Sequence, residues 1–466
     1  MTKYKAVTPL VLAELEDIVG EKNVVVDRDK LENYSHDEVS DPHYYYLPEV
    51  VVFPETTEQV ARIVKLANQE LIPVTPRGAG TGVSCGAVPV HGGIVLTTEK
   101  MNKIIKVDAD NLYMEVEAGV RTGEVQQAAK AAGLYYPGDP CSGDSCFIGG
   151  NVATNAGGNK TVKYGTTRHQ VYSLEVVTPT GEITNLGARL TKNSTGYALE
   201  QLVIGSEGTL GIITKITLKL VPLPEHVLDL LAVFPDYESA ISSVAKLRKV
   251  GVTPTCIEFM DNSYLKSIEH YLNIKLAYSE EGHYLIIQME GETEAALDVL
   301  AEKIDDLCSA NGAVAVLMPD SEAIWKARKS CIEAVRYESL VHCDEDIVVP
   351  LEHLPYCMRT MVEICDRHNA VARIVSHAGD GNIHISILPG GISSEEWEEK
   401  LARIHHAIYD VVYPLGGRLS GEHGIGFKKR ALMEQYTDPV ELAMMRSIKK
   451  ALDPNMILNP GKLFVV

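Results

Sequence analysis

The chain has 466 residues, enough for two or three domains, and its 45% apolar content supports a packed core over disorder. With 43 basic against 63 acidic side chains the formal net charge is −20. That excess argues against nucleic acid or an anionic membrane as the main partner, while a small anionic substrate needs only a local positive site. No apolar run of about 18 residues occurs, and Met1-Thr-Lys-Tyr4 does not open an apolar signal core, so no transmembrane segment is expected and the cytoplasm is the expected location. The nine cysteines are scattered without a CxxC pair, which reads as reduced thiols, not as a zinc or iron–sulfur site built on such pairs.

In chain order, Thr8-Pro9 and the amphipathic stretch to Gly20 predict a capped helix. Pro48–Pro54 and Ile72–Thr75 read as strands flanking a helix from Thr56 to Glu70, with Thr57 as its cap. Short strands and many glycines follow to about residue 220, with one more helix near 122–132. Beyond Pro222-Leu-Pro224 strands (228–234, 255–260, 284–290, 313–317) alternate with helices (236–249, 292–310), which predicts a sheet with helices on one face. A helix is expected from Ser393 to Val412, with acids at its positive end. His405-His406 lies within it, where adjacent positions do not face one ion, so the pair reads as surface or core.

Pro76-Arg77-Gly78-Ala79-Gly80-Thr81-Gly82 follows a strand and suits close approach of backbone N–H groups to a pyrophosphate. It is not a nicotinamide fingerprint, because that motif needs a helix directly after the glycines and Val83–Gly93 cannot form an amphipathic one. Three further glycine-dense loops follow, at Pro137–Ser142, Ile148–Gly158 and Ile204–Thr214, with Tyr164-Gly165 between the last two. The set suits one elongated phosphate-bearing ligand. It resembles the PCMH-type FAD-binding domain of the vanillyl-alcohol-oxidase superfamily, in the branch of D-lactate dehydrogenases, D-2-hydroxyglutarate dehydrogenases and the FAD subunit of glycolate oxidase. The resemblance runs from about residue 45 to Leu458-Asn459-Pro460-Gly461-Lys462. It implies that residues 76–82 wrap the pyrophosphate, and that Asp139, Ser142, Gly149, Gly150, Asn155 and Gly158 follow the flavin and its phosphates. Gly165 and Ile213 would lie near the adenosine or the ring, Glu207 and Gly208 would join the cofactor contacts, and Asn459 would close over the isoalloxazine. Covalent members carry a flavin-linked histidine after the first loop. Here the stretch reads Thr81, Gly82, Ser84, with Cys85 as its one nucleophile, so the FAD is expected to be non-covalent.

The second feature is His377-Ala-Gly-Asp380-Gly381-Asn-Ile-His384 between two predicted strands. Asp-Gly favours a two-residue turn, which pairs His377 directly with His384 at a Cα separation of about 4.5–5.5 Å. Both imidazoles can then reach one ion, although a packed or solvated pair fits the same pattern. Gly421-Glu422-His423-Gly424 adds a carboxylate and an imidazole in a glycine loop. The resemblance implies one divalent metal (zinc, iron(II) or manganese) on His377, His384 and Glu422, with His423 as catalytic base and Arg328 clamping the substrate carboxylate. Asp344-Glu-Asp346, before Pro350, stands where dicarboxylate-specific relatives carry a basic residue, which favours a monocarboxylate.

The expected architecture is α+β: a PCMH-type FAD domain at 1–222, a substrate or cap domain at 223–420 with an antiparallel sheet covered by helices, and a helical segment at 421–466 that returns to the flavin. The implied activity is FAD- and metal-dependent oxidation of a D-2-hydroxy acid, D-lactate first. Electrons would pass to an electron-transfer flavoprotein or another redox subunit. A glycolate oxidase FAD subunit, a D-2-hydroxyglutarate dehydrogenase and a non-catalytic flavin subunit are the alternatives.

Overall fold

The computed structural model describes residues 4–39, 41–393 and 395–465. The Met1-Thr-Lys start and Ser394 of the acidic helix start lie outside the described residues. Two compact units form: residues 4–157, 165–223 and 422–465 make the first, and 158–164 with 224–421 make the second.

Among the described residues three sheets, of four, five and two strands, build the first unit. Strands β1 (Val24–Val25), β2 (Val50–Val52), β3 (Val74–Arg77) and β4 (Ile94–Thr97) order as β1-β2-β4-β3, with β4 parallel to β2 and β3. Strands β5 (Ile104–Asp108), β6 (Tyr113–Glu117), β7 (Leu134–Tyr135), β8 (Val171–Val177), β9 (Ile183–Gly187), β10 (Ile212–Lys219) and β11 (Val221–Pro222) follow. Five of them order as β5-β6-β10-β8-β9, all antiparallel, and β7 pairs with β11. The parallel strands are buried on both faces, as continuous apolar runs such as Val50-Val-Val52 dictate.

The opening helix is Pro9–Val19, with Thr8 capping Val11 N–H and Gly20 ending it at φ +86°. The helix Thr57–Glu70 is capped by Thr56, not by Thr57. Thr57 is instead buried, its hydroxyl donating to Glu175 at 2.5 Å. The strand expected at 72–75 is shifted to 74–77. Ile148–Thr154 corrects the loop reading: it is a short helix, and Asn155 ends it in the left-handed region at φ +53°. Helix propensity is poor at Gly149-Gly150, but Ala118 approaches so closely that a Cβ on Gly149 would lie 2.6 Å from the alanine methyl. Tertiary packing decides the element there.

The second unit holds one seven-stranded antiparallel sheet. Its strands are β12 (His226–Phe234), β13 (Cys256–Met260), β14 (His283–Gly291), β15 (Ala315–Leu317), β16 (Cys343–Val348), β17 (Val371–His377) and β18 (Asn382–Leu388), ordered β15-β12-β14-β13-β17-β18-β16. Helices 237–249 and 294–310 alternate with the strands as expected, and a further helix spans 354–367. The later helix is Trp397–Val412, so Ser393 lies before its start. Helices Arg430–Tyr436 and Pro439–Leu452 complete the C-terminal helical segment. Among the described residues no helix is long and apolar enough to cross a membrane.

Candidate active site

In the first unit the glycine loops converge. β3 delivers Gly78, where an added Cβ would come within 3.7 Å of Gly150 Cα and Phe147 Cβ, while Gly150 itself faces open space. These two bare backbones form a cradle that side chains would fill. Arg77 does not point into it. Its guanidinium folds back under Gly80 and donates to the carbonyls of His36 (2.7 Å) and Asn33 (3.4 Å). Burial lowers its pKa despite the nearby Asp37. Pro76 packs against Gly208, and Asn155 accepts from Arg168 N–H at 3.0 Å. The Ile213 side chain lies in the core with Val116 and Val152. Gly165, at φ +76°, lies against the His169 ring. Ser142 accepts through its carbonyl from Cys146 N–H in the loop that carries Asp139, and Gly158, at φ +146°, opens the short segment that belongs to the second unit.

The loop after residue 82 holds the Glu422–Gly426 segment. Val83–Gly93 makes no helix, as expected. Ser84 Oγ donates to the carbonyls of His423 and Gly424, both at 3.1 Å. Gly426, at φ +52°, passes so close to the Ser84 carbonyl that a Cβ would sit 1.8 Å from it. Glu207, expected among the cofactor contacts, instead places its buried carboxylate under the same segment. It accepts from Ile425 and Gly426 N–H, each at 2.7 Å. Burial raises its pKa and these two hydrogen bonds oppose the rise. Asn459 ties the Gly86 and Glu207 carbonyls together through its amide. Glu422 lies over Gly157, and His423 Nε2 lies 3.8 Å from Glu422 Oε1. Beneath this layer Lys462 is fully enclosed and donates to the Val88 carbonyl at 2.6 Å; burial lowers its pKa to about 7.

In the second unit β17 and β18 form the histidine hairpin, but in a different register from the one expected. His377 pairs with Asn382 and Val375 with His384. The connection is therefore four residues, 378–381, with the His377 carbonyl accepting from Asp380 and Gly381 N–H. A Gly381 at φ +89° permits this. Because the slip is by two positions, both histidines stay on one face as diagonal neighbours. Their ring centroids lie 5.1 Å apart, edge to face.

Behind His377 stands a residue that the sequence reading missed. Glu258 on β13 pairs with His377 across the ladder and is fully buried. His377 Nδ1 donates to its Oε1 at 2.8 Å, and Arg328 donates from Nε at 2.9 Å, with Nη2 2.7 Å from Oε2. Burial alone would raise the Glu258 carboxyl, but His377 and Arg328 outweigh it and hold it below its ordinary value. The clue in the sequence was a carboxylate inside the otherwise apolar strand Cys-Ile-Glu258-Phe-Met, which a folded protein must pair. Arg328 is 4% exposed, so it is no surface arginine. His384 Nδ1 lies 4.0 Å from Asp346 Oδ1. Asp346 accepts from Asn382 Nδ2 (2.6 Å), Ser420 Oγ and Gly421 N–H (3.0 Å).

The first unit carries bare backbones at Gly78 and Gly150, and the second a sheet face with two neighbouring histidines. Comparison with known proteins gives the class, an FAD-linked oxidoreductase. Residues 48–187 match the FAD binding domain and residues 223–463 match the C-terminal domain of FAD linked oxidases, so the chain belongs to the FAD-linked oxidase family. It is 37% identical over 472 residues to the D-lactate dehydrogenase of Anaerostipes hadrus, covering 99% of this chain and 98% of that one. It is 35% identical over 435 residues to glycolate oxidase subunit GlcD of Bacillus subtilis, covering 92% of each. The fold is that of p-cresol methylhydroxylase, with a TM-score of 0.82 at 19% identity, covering 97% of this chain and 96% of that structure.

Proposed function

We propose that the chain oxidises a small D-2-hydroxy acid, D-lactate first, to the 2-oxo acid, with non-covalent FAD and one divalent metal, and delivers the electrons to a partner such as an electron-transfer flavoprotein. The observation that carries this reading is the His377–Glu258–Arg328 chain beside His384. The hydrogen bond to an ionised Glu258 puts the His377 proton on Nδ1 and its lone pair on Nε2, the state a metal ligand needs. The proposed ligands His377, His384 and Glu422 are nitrogen and oxygen donors, which suit zinc, iron(II) or manganese. FAD when bound accepts hydride at N5, and a metal when bound makes the substrate hydroxyl more acidic.

The protein's own groups do the rest. His423 takes the hydroxyl proton, on a loop fixed by Ser84 and Glu207. A guanidinium has five N–H donors. Arg328, whose Nε donates to Glu258, is the cation for the substrate carboxylate. Asp344 and Asp346 share the sheet face of His384, and a second substrate carboxylate would be repelled there, which supports a monocarboxylate. Gly78, Ala79, Gly80, Thr81 and Gly82 with Gly150 hold the pyrophosphate. Gly149, Glu207 and Ile213 act from behind as packing and anchoring residues. Cys85 is buried and burial pushes its thiol well up, so it is no nucleophile for a flavin bond.

The test is anaerobic bleaching of the bound flavin by D- and L-lactate, glycolate, D-2-hydroxyglutarate and D-malate. Rapid bleaching by D-lactate supports the reading, and failure of all five acids overturns it. Acid precipitation should leave FAD in the supernatant; a yellow pellet overturns non-covalent attachment.

A further inference from the structure

We propose that Cys343, Glu345 and His405 form a second metal site, separate from the hairpin histidines, for a thiophilic divalent cation of the zinc type. Cys343 and Glu345 are two positions apart on β16 and so point to one face of the sheet, opposite to Asp344 and Asp346. Their partners across the ladder are Ile387 and Ile385, and Ile347 and Ile383 continue the same face. A carboxylate and a thiol thus interrupt an isoleucine layer. Glu345 is 1% exposed and Cys343 8%, so both side chains lie in the interior.

The helix Trp397–Val412 brings His405 and, one turn on, Tyr409 to this spot. Cys343 Sγ lies 3.7 Å from His405 Nε2 and 3.7 Å from Glu345 Oε1, and His405 Nε2 lies 3.5 Å from Glu345 Oε1. A point equidistant from the three atoms lies about 2.1 Å from each, against about 2.0–2.3 Å for zinc bonds to nitrogen, oxygen and sulfur. As edges of a coordination polyhedron these distances are ordinary. Tyr409 donates its hydroxyl to the other oxygen, Glu345 Oε2, which aims Oε1 at the thiol and imidazole as outer partners of metal ligands do. The His405 side chain keeps 15% exposure, leaving an entry path and a fourth position for water. On binding, Cys343 releases its thiol proton to solvent and coordinates as thiolate.

The ligands are some sixty residues apart on a strand and a helix, which is why the absence of CxxC in the sequence gave no hint of them. The hairpin ligands contain no sulfur, so the two sites are separable by spectroscopy. Holoenzyme loaded with cobalt(II) should show a thiolate-to-cobalt charge-transfer band in the wild type and in His384→Ala, and none in Cys343→Ser. Zinc content should fall by about one equivalent in Cys343→Ser. A Cys343→Ser protein with normal flavin absorbance, unchanged zinc and an unchanged cobalt spectrum overturns the proposal. Should that variant fail to fold, alkylation of wild-type Cys343, located by mass spectrometry, decides: zinc must protect it, and equal labelling with and without zinc overturns the site.

Discussion

Replacing Glu258 by Gln keeps the volume of the side chain and removes its charge. Arg328 and His377 then face a neutral amide in a site with no solvent, since Glu258 is fully buried. Removing one partner from a buried ion pair costs about 3–5 kcal/mol, because the remaining charge is left without its counter-ion. For a domain of about 200 residues each kcal/mol moves the melting temperature by roughly 2–4 °C, so the second unit should melt roughly 6–20 °C lower. Metal affinity should fall by roughly 10–100-fold as His377 loses its orienting partner. The pH dependence adds a sign. The folded carboxyl lies below its ordinary value of 4.5, so its contribution is complete above about pH 4.5 and is lost as pH falls through the lower folded value. The wild-type advantage over Glu258→Gln should be flat through neutral pH and shrink only in acid. Differential scanning calorimetry across pH, with metal titration of each variant, measures all three. Glu399→Gln, which breaks only the exposed pair with Arg403, is the control and should change nothing measurable. If Glu258→Gln melts with that control and binds metal as the wild type does, the positioning argument is wrong.

Other perturbations separate cradle from scaffold. Gly78→Ala places a methyl in ordinary contact with Gly150, so the protein should fold with unchanged melting temperature yet purify with little flavin, read from its visible absorbance. Gly426→Ala drives a Cβ into the Ser84 carbonyl at a positive φ and should instead lower stability along with flavin content. Glu207→Gln can accept only one of the two N–H groups of Ile425 and Gly426, so kcat should drop by roughly 10–100-fold while flavin content holds, because a shift of about 1 Å at His423 suffices. Lys462, with its pKa lowered to about 7, is neutral in the fold and charged when unfolded between pH 7 and about 10. Wild-type stability should therefore rise with pH across that window, and Lys462→Met should flatten the slope in denaturant titrations.

Much of this was legible in the sequence. The strands at Leu228–Phe234 and Tyr284–Glu290 were readable between helices, although Cys343–Val348 and the strand order were not, and Thr8-Pro9 marked the first helix start to the residue. The hairpin register was misread because Asp380-Gly381 is the strongest local turn signal, whereas the pairing places both residues in a four-residue loop. The functional face survived because a slip of two preserves side-chain parity. Ile148–Thr154 was unreadable as a helix, since its stability comes from Ala118, thirty residues away. Glu207 and Arg328 were both picked out as site residues, yet local sequence could not say what each holds. Their partners, Ile425 and Gly426 for one and Glu258 for the other, are distant in the chain.

The open edge of β3 is closed by the far end of the chain: Val74 N–H donates to the Ile457 carbonyl and Asn459 N–H to the Val74 carbonyl, both at 2.8 Å. Ile457 and Leu458 also fill the core beneath. The strand that launches the glycine loop therefore stays half-paired until residues 457–459 have been made. The second unit, continuous from 224 to 421 apart from residues 158–164, can collapse earlier during synthesis. Deleting residues 457–459 would leave β3 as a bare edge, inviting association with other chains before any cofactor could be retained.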